Sequence, residues 1–148
     1  MDCNLPLGAH LVTPRKWYSH HGVYVGNGRV IHYAGFSQRL RSGPVEETSL
    51  DAFAKHFGFR VEPHATPAFS PEEIVRRAKT RIGENRYGVL SNNCEHFSHW
   101  CVCGRARSSQ VETLMKHPAR AARLVAGALV RLAASLFGKD TFAPTAHI

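Results

Sequence analysis

The chain has 148 residues, of which 43% are hydrophobic and 20% are charged. This length suits one compact domain, and the composition excludes a collagen, a coiled coil and a wholly disordered chain. Nineteen Lys and Arg against 11 Asp and Glu give a formal net charge of +8, which favours anionic partners such as anionic lipid, nucleic acid or acidic substrates.

The first half of the chain is predicted to be rich in β-structure. Apolar or alternating segments predict three strands, over residues 10–13, 18–25 and 29–33. The last two strands flank Gly26-Asn27-Gly28, which is a strong hairpin signal. The polar segment 35–44 contains two Gly and one Pro and predicts a loop.

Helices are predicted after this sheet. A short helix over 50–57 would be capped by Thr48 or Ser49, and a short strand is predicted over 59–62. Ser70-Pro71-Glu72-Glu73 has the residues of a helix start, and this helix would run to Ile82 and stop at Gly83. The run Ser91-Asn92-Asn93 can cap a further helix that begins near Cys94.

The segment 116–137 predicts a basic amphipathic helix. Its two faces lie roughly half a turn apart; the basic one holds Lys116, Arg120, Arg123 and Arg131, and the apolar one holds Val125, Leu129, Leu132 and Leu136. Such a helix either docks on an anionic bilayer or packs its leucine face on the rest of the protein. We therefore divide the chain into a domain over 1–118 and a helix with its tail over 119–148.

Cys94 is the strongest candidate for chemistry. A free thiol has a pKa near 8.5, so only a small fraction is thiolate at neutral pH. A helix N-terminus and a nearby imidazole both favour the thiolate, and the predicted cap supplies the first of these conditions. The second requires a histidine from elsewhere in the fold, because a nucleophile and its base meet in space.

The hairpin offers that histidine. A three-residue loop with Gly28 in the left-handed position would pair Gly22 with His32. His20, Gly22, Tyr24, Val30 and His32 would then share one face, and the other face would be the apolar set Val23, Val25, Ile31 and Tyr33. A two-residue turn would pair Val23 with His32 and would give a less apolar face, so we favour the first register. It predicts that a thiolate docking on this face meets both His20 and His32.

Other interpretations of the cysteines and histidines remain open. Zinc binding by Cys94, His96, Cys101 and Cys103 would need a second, distant ligand pair that the sequence lacks, so we expect no metal. Cys101 and Cys103 fit packing positions, and His96 and His99 need no more than ordinary hydrogen bonds or exposure. Tyr24 and Tyr33 are expected to be framework residues.

Three segments together resemble one family. They are His20-His21-Gly22-Val23-Tyr24-Val25-Gly26, then Val30-Ile31-His32, then Asn93-Cys94-Glu95-His96-Phe97. They are similar to the lecithin:retinol acyltransferase-like family, which includes the H-Ras-like suppressor phospholipase/acyltransferases and belongs to the NlpC/P60 group of permuted papain-like thiol enzymes. The resemblance covers roughly residues 7–110. Two departures stand out: His21 lies where the family usually has an aromatic or apolar residue, and Gly8-Ala9-His10 where it often has Gly-Asp.

The resemblance implies an α+β fold in which a small antiparallel sheet packs on the helix that carries Cys94. It implies acyl transfer through a thioester, with Cys94 as nucleophile, His20 as general base and His32 as the orienting residue, and no cofactor. The implied donor is a glycerophospholipid or another acyl ester.

Two competing functions are an NlpC/P60-like amidase or peptidase and a membrane interaction module without catalysis. Nucleic acid is not expected as a partner, because few aromatics are interleaved with the basic residues. The sequence holds no run of 18 apolar residues and begins without a secretion-signal pattern, which predicts a cytoplasmic protein. The basic helix over 116–137 predicts that it associates peripherally with membranes.

Overall fold

A computed structural model of the chain describes residues 5–36, 42–88, 91–117, 119, 122–123 and 126–127. The chain divides into two compact units, Met1–Ser109 and Gln110–Ile148. Most of the predicted basic helix over 116–137 lies outside the described residues. Within the described residues, no helix combines the length and apolar character needed to cross a bilayer.

The first unit is built on one antiparallel sheet of five strands. In chain order the strands are β1 (His10–Pro14), β2 (Ser19–Gly26), β3 (Arg29–Phe36), β4 (Ser42–Ser49) and β5 (Arg60–Val61). Their order across the sheet is β4-β3-β2-β1-β5. The helices are α1 (Leu50–Ala54), α2 (Pro71–Thr80), α3 (Cys94–Cys103) and α4 (Ser109–Lys116). The predicted α+β class is confirmed.

The β2–β3 hairpin has the register favoured from the sequence. Gly22 pairs with His32, and a bulge lies between Tyr24 and Gly26. Gly28 adopts a φ of +67°, the left-handed conformation that a glycine accepts without strain. The Tyr24 hydroxyl accepts a hydrogen bond of 3.2 Å from the Gly28 backbone N–H, which closes the loop.

The two faces of the sheet carry different cores, as the alternation predicts. On one face Val23, Ile31 and Tyr33 pack with residues of α2 and α3, including Phe97 and Cys101. On the other face Tyr24 and Val30 pack with Leu11 of β1 and Phe53 of α1. The hairpin therefore separates the α3 side of the protein from the α1 side.

The predicted caps of the three helices in the first unit are confirmed. Ser49 caps α1, Ser70 caps α2 and Asn93 caps α3, each by accepting hydrogen bonds from backbone N–H groups of the first turn. Two helices end earlier than predicted, α1 at Ala54 rather than Phe57 and α2 at Thr80 rather than Ile82. The predicted loop over 35–44 was also wrong, because it contains the end of β3 and the start of β4. The sheet pairing of β4 with β3 outweighs the local signal of Gly43 and Pro44.

Candidate active site

The Cys94 thiol lies at the first residue of α3. The Asn93 side chain accepts hydrogen bonds of 3.0 Å from the backbone N–H groups of Glu95 and His96, which fixes the start of the helix. Cys94 is only 3% exposed, and its Sγ lies 4.0 Å from the backbone carbonyl oxygen of Ser19. The helix therefore holds the thiol against the beginning of β2.

At this point the sheet opens between β2 and β3. Their pairing runs from Gly22 and His32 toward the hairpin loop, whereas β2 itself starts at Ser19. The backbone N–H and carbonyl of Tyr24 bond Ala9 and Gly8, on the β1 side of β2. Because these groups point to alternate sides along a strand, the Ser19 carbonyl and the His21 N–H point toward β3. The His21 N–H stabilises the thiolate form of Cys94. The Cys94 thiol thus contacts β2 beyond the last pair that β2 forms with β3.

His20 and His32 lie side by side on the α1 face of the sheet. Nε2 of His20 and Nδ1 of His32 are 3.0 Å apart, and both rings contact Phe53. Both residues are buried, and the Nδ1 atom of His20 has no hydrogen-bond partner among the residues that the structure describes. The hydrogen bond through Nε2 therefore leaves Nδ1 as the nitrogen able to accept a proton.

Gly22 makes room for this arrangement. A Cβ at this position would lie 2.6 Å from Cγ1 of Val30 and 2.9 Å from Cε2 of Phe53. Both distances are too short for a side chain, so the missing Cβ lets the Phe53 ring pack between β2 and β3. The ring in turn shields both imidazoles from water.

Glu46, which we did not predict from the sequence, extends the histidine pair. It pairs with His32 across β3 and β4, and its Oε1 lies 3.6 Å from Nε2 of His32. A line of polar contacts therefore leads from His20 through His32 to a half-exposed carboxylate. The available signal was the pair of β-branched residues Val45 and Thr48, which indicates a strand where we expected none.

Burial controls the protonation of the site. Burial raises the pKa of Cys94 to about 11, although backbone N–H groups oppose the rise. Burial and the neighbouring His32 hold the pKa of His20 well below 6.5, and burial lowers the pKa of His32 to about 4. At neutral pH the site therefore holds a neutral thiol and two neutral imidazoles. The expectation of a thiolate is not met in the resting site, because desolvation outweighs the helix N-terminus.

The structure separates the tandem histidines. The His21 side chain lies on the α3 face, opposite His20, and its Nδ1 is 2.9 Å from Nε2 of His10. The body of α3 packs on this same face, whereas we expected it to dock on the face of His20 and His32. Cys94 approaches β2 at the strand edge instead. The docking face is therefore corrected: Cys94 lies in the core on the α3 face and contacts β2 at Ser19, one residue before His20.

The turn between β1 and β2 borders the thiol. Trp17 is 61% exposed and Tyr18 is 44% exposed. Burial raises the pKa of Tyr18, and the charge of a Cys94 thiolate adds to the rise. Arg15 donates a hydrogen bond of 2.6 Å to the Phe53 carbonyl oxygen, which holds a guanidinium near the same site. Tyr18 and Arg15 therefore lie close enough to Cys94 to interact with its charge, and Trp17 is exposed on the same turn.

Glu95 anchors the chain that follows α3. Its carboxylate accepts hydrogen bonds from the Ser108 hydroxyl at 2.6 Å, and from the hydroxyl and N–H of Ser109 at 2.7 and 3.1 Å. A carboxylate in the first turn is also favoured by the helix dipole. This buried network fixes the first turn of α3 and hence the position of Cys94.

The zinc set considered from the sequence does not come together. Cys101 packs in the apolar core, as predicted, and Nδ1 of His96 accepts a 3.4 Å hydrogen bond from the Asn93 N–H. Cys103 packs at the edge of that core, and its Sγ also lies 3.4 Å from Nδ1 of His64. The expectation that Cys103 is only a packing residue is therefore incomplete.

The fold and this site define an α+β protein in which a buried thiol contacts the strand that carries one histidine of a buried pair. Residues 3–107 match the lecithin retinol acyltransferase family, and the chain belongs to that family. The resemblance seen in the sequence is thereby confirmed.

Curated relatives agree with this assignment. Human phospholipase A and acyltransferase 2 is 30% identical over 82% of this chain and 85% of its own length. Human phospholipase A and acyltransferase 4 is 32% identical over 66% of this chain and 70% of its own. Human lecithin retinol acyltransferase is 28% identical over 70% of this chain and 56% of its own.

Proposed function

We propose that this protein is a thiol-dependent acyltransferase and phospholipase that acts on acyl esters of glycerophospholipids. The observation that carries the proposal is the histidine pair. His20 bonds His32 through Nε2, and its buried Nδ1, on the strand that Cys94 contacts, has no partner within the described part of the chain. The names of the relatives, which are phospholipases A and acyltransferases, support the same reaction class.

In the proposed mechanism, Nδ1 of His20 takes the proton from the Cys94 thiol as the sulfur attacks the ester carbonyl carbon. The carbonyl π electrons move to oxygen, and the backbone N–H of Cys94, in the first turn of α3, stabilises the resulting oxyanion. Collapse of this intermediate breaks the bond to the leaving alkoxide, which receives the proton from His20. The acyl group remains on sulfur as a thioester.

The second half of the reaction repeats these roles. His20 takes a proton from water, an alcohol or an amine, which attacks the thioester carbonyl, and then returns a proton to the Cys94 sulfur. His32 orients His20 by accepting its Nε2–H, and Nε2 of His32 in turn faces Glu46. Because the resting pair is neutral, the thiolate forms only as it attacks.

The surroundings of the thiol suit a lipid substrate. The exposed rings of Trp17 and Tyr18 are of the kind that sits at a membrane interface, where a ring meets both acyl chains and headgroups. Arg15 and Lys16 on the same turn add positive charge that attracts a phosphate group. This turn would bring the ester of a bilayer lipid to Cys94.

Incubation with phosphatidylcholine vesicles tests the proposal. We expect released fatty acid and lysophospholipid, and a transferred acyl product when an amine or alcohol acceptor is added, all identified by mass. An N-acylated peptide serves as the competing substrate. Faster cleavage of the peptide than of the lipid would replace this proposal with an amidase or peptidase.

Substitutions of the three histidines of the hairpin test the assignment of the base. His20→Ala should lower kcat/KM at least about 10²-fold, the usual effect of losing a general base. His32→Asn should retain part of the activity, because an amide can still accept the Nε2–H of His20. His21→Ala is the matched control and should be milder than either. If His21 proves essential and His20 dispensable, the choice of base is wrong.

We also propose that the segment 116–137 docks on anionic membranes as a basic amphipathic helix. Each Lys or Arg near an anionic surface contributes about 1 kcal/mol, so reversing Arg120, Arg123 and Arg131 to Glu should weaken vesicle binding at least about 10²-fold at moderate salt. Activity on anionic vesicles should fall more than activity on a soluble short-chain ester, and wild-type binding should weaken as salt rises. Co-sedimentation unchanged by the three reversals, at low and high salt alike, would remove the membrane role.

A further inference from the structure

A second cluster of reactive side chains lies apart from the thiol and histidine pair. His64 follows β5, and His99 and Cys103 lie on the last two turns of α3. One potential ligand atom from each of these residues lies within 4.8 Å of the other two. The proposed acyl transfer uses none of the three.

The spacing of these atoms suits a transition metal. His99 and Cys103 are four residues apart on one helix, so their side chains share a face. Tetrahedral zinc, with Zn–S near 2.3 Å and Zn–N near 2.05 Å, holds a sulfur and a nitrogen about 3.6 Å apart. Nδ1 of His64 and Sγ of Cys103 are already 3.4 Å apart. Little movement would be needed to place one ion between them.

In each histidine of the cluster, the ring nitrogen that does not face the ion position makes a hydrogen bond that orients the ring. Nδ1 of His99 lies 2.9 Å from the Arg105 carbonyl oxygen, so it donates and leaves Nε2 as the ligand atom. Nε2 of His64 lies 2.8 Å from Nδ1 of His10, which leaves Nδ1 turned toward Cys103. Such outer bonds, which fix the tautomer and the ring plane, are typical of histidines that bind metals.

The cluster is also accessible. His64, His99 and Cys103 are each half-buried rather than sealed in the core, so an ion can enter from solvent. Two neutral imidazoles and one thiolate match the borderline-soft character of Zn²⁺ and disfavour Mg²⁺ or Ca²⁺, which prefer oxygen ligands. Three protein ligands leave one coordination position for water.

We propose that His64, His99 and Cys103 form a Zn²⁺ site that ties the segment after β5 to the end of α3. The role is structural, and the ion takes no part in the acyl transfer proposed above. The His64–His10–His21 contacts connect this site to β2, so binding should also stiffen the strand that carries His20. The proposal does not depend on the proposed enzymatic activity.

Cobalt binding tests this site, because Co²⁺ takes zinc positions and reports a thiolate ligand in its spectrum. The full chain is stripped with a chelator and titrated with Co²⁺. We expect one equivalent per chain to give a thiolate-to-cobalt charge-transfer band with the d–d bands of a tetrahedral ion, and Zn²⁺ to displace both. Zn²⁺ should also raise the melting temperature of the stripped chain.

Matched variants locate the ligands. Cys103→Ser should abolish the charge-transfer band. His99→Gln should lower the affinity for Co²⁺ at least about 10-fold, the smaller of the losses in affinity that follow when even an outer partner of a metal ligand is mutated. Cys94→Ser and Cys101→Ser, which change thiols outside the cluster, should leave the band unchanged. Circular dichroism checks that each variant is folded, and His99→Gln decides the question should Cys103→Ser fail to fold.

Three results would overturn the proposal. One is a wild-type spectrum without a thiolate-to-cobalt band. A second is a folded Cys103→Ser variant that keeps the full charge-transfer band. If Cys103→Ser does not fold, an unchanged Co²⁺ affinity in His99→Gln is the second result instead. The third is a band that Cys94→Ser removes, because the cobalt would then occupy the thiol and histidine site instead.

Discussion

Cys94→Ser is expected to lower turnover of phosphatidylcholine by about 10⁴-fold or more, the scale on which enzymes lose rate when the nucleophile is removed. A serine hydroxyl is a far weaker acid than a thiol, and the neutral His20 of β2 cannot activate it to the same extent. The fold should survive, because the substitution replaces sulfur with oxygen in a position where Ser19 and His21 already offer backbone partners. Released fatty acid, measured per folded molecule, gives the result.

Cys101→Ser is the matched control for this prediction. It makes the same change on the same helix, seven residues further along, in the apolar core rather than beside β2. It should cost stability, because it buries a hydroxyl, and yet leave turnover per folded molecule nearly intact. Equal losses of activity in the two variants would contradict the assignment of Cys94 as nucleophile.

Mild acid is expected to unfold the protein. Among the residues that the structure describes, burial is the first cause that holds the pKa of five buried or half-buried histidines below 6.5; they are His10, His20, His21, His32 and His64. The unfolded chain binds protons at these positions near pH 6.5, whereas the folded chain does not. Unfolding therefore takes up protons, and the free energy of unfolding falls as pH drops below about 6.5.

The size of this effect can be estimated from His32. Its pKa of about 4 implies a loss of about 3 kcal/mol between pH 6.5 and pH 4, at 1.36 kcal/mol for each unit of pKa difference. A small domain has only about 5–15 kcal/mol of stability, so a few such histidines are enough to unfold it. Urea denaturation at pH 7.5, 6 and 5, with a chelator present to exclude bound metal, measures the loss.

Two variants separate the buried histidines from histidines in general. His32→Asn should make the free energy of unfolding less dependent on pH, because one proton-binding position is removed. His56→Gln changes an exposed histidine next to Phe57 and should leave the pH dependence unchanged. A stability that is flat between pH 7.5 and 5 in the wild type would show that these histidines are not held neutral by burial.

The parts of the fold that local chemistry dictates could be predicted from the sequence. Gly26-Asn27-Gly28 determines the loop, and the alternation of apolar residues then determines which face receives His20 and His32. Asn93 marks the start of α3 because its short side chain can accept backbone N–H groups that otherwise lack partners. These two local signals place His20 and His32 on one face of the hairpin and Cys94 at the start of α3.

The parts that depend on distant contacts could not be predicted. The pairing that makes β4 a strand, and so brings Glu46 to His32, is formed with β3 rather than within the segment itself. His64 lies in a segment without periodicity, and only tertiary packing brings it to Cys103. The docking face of α3 also escaped prediction, because Cys94 enters at the strand edge and no pattern in the sequence records where two paired strands separate.

In the proposed mechanism, Cys94 carries the acyl group during the reaction. A brief incubation with a phosphatidylcholine that has one isotopically labelled acyl chain, followed by acid quenching, traps the intermediate for mass spectrometry. Trypsin leaves Cys94, Cys101 and Cys103 in one peptide, so fragmentation must locate the added mass. We expect the labelled acyl group on Cys94, linked by a bond that hydroxylamine cleaves. Turnover without any such adduct, or with the acyl group on a different residue, would contradict the mechanism.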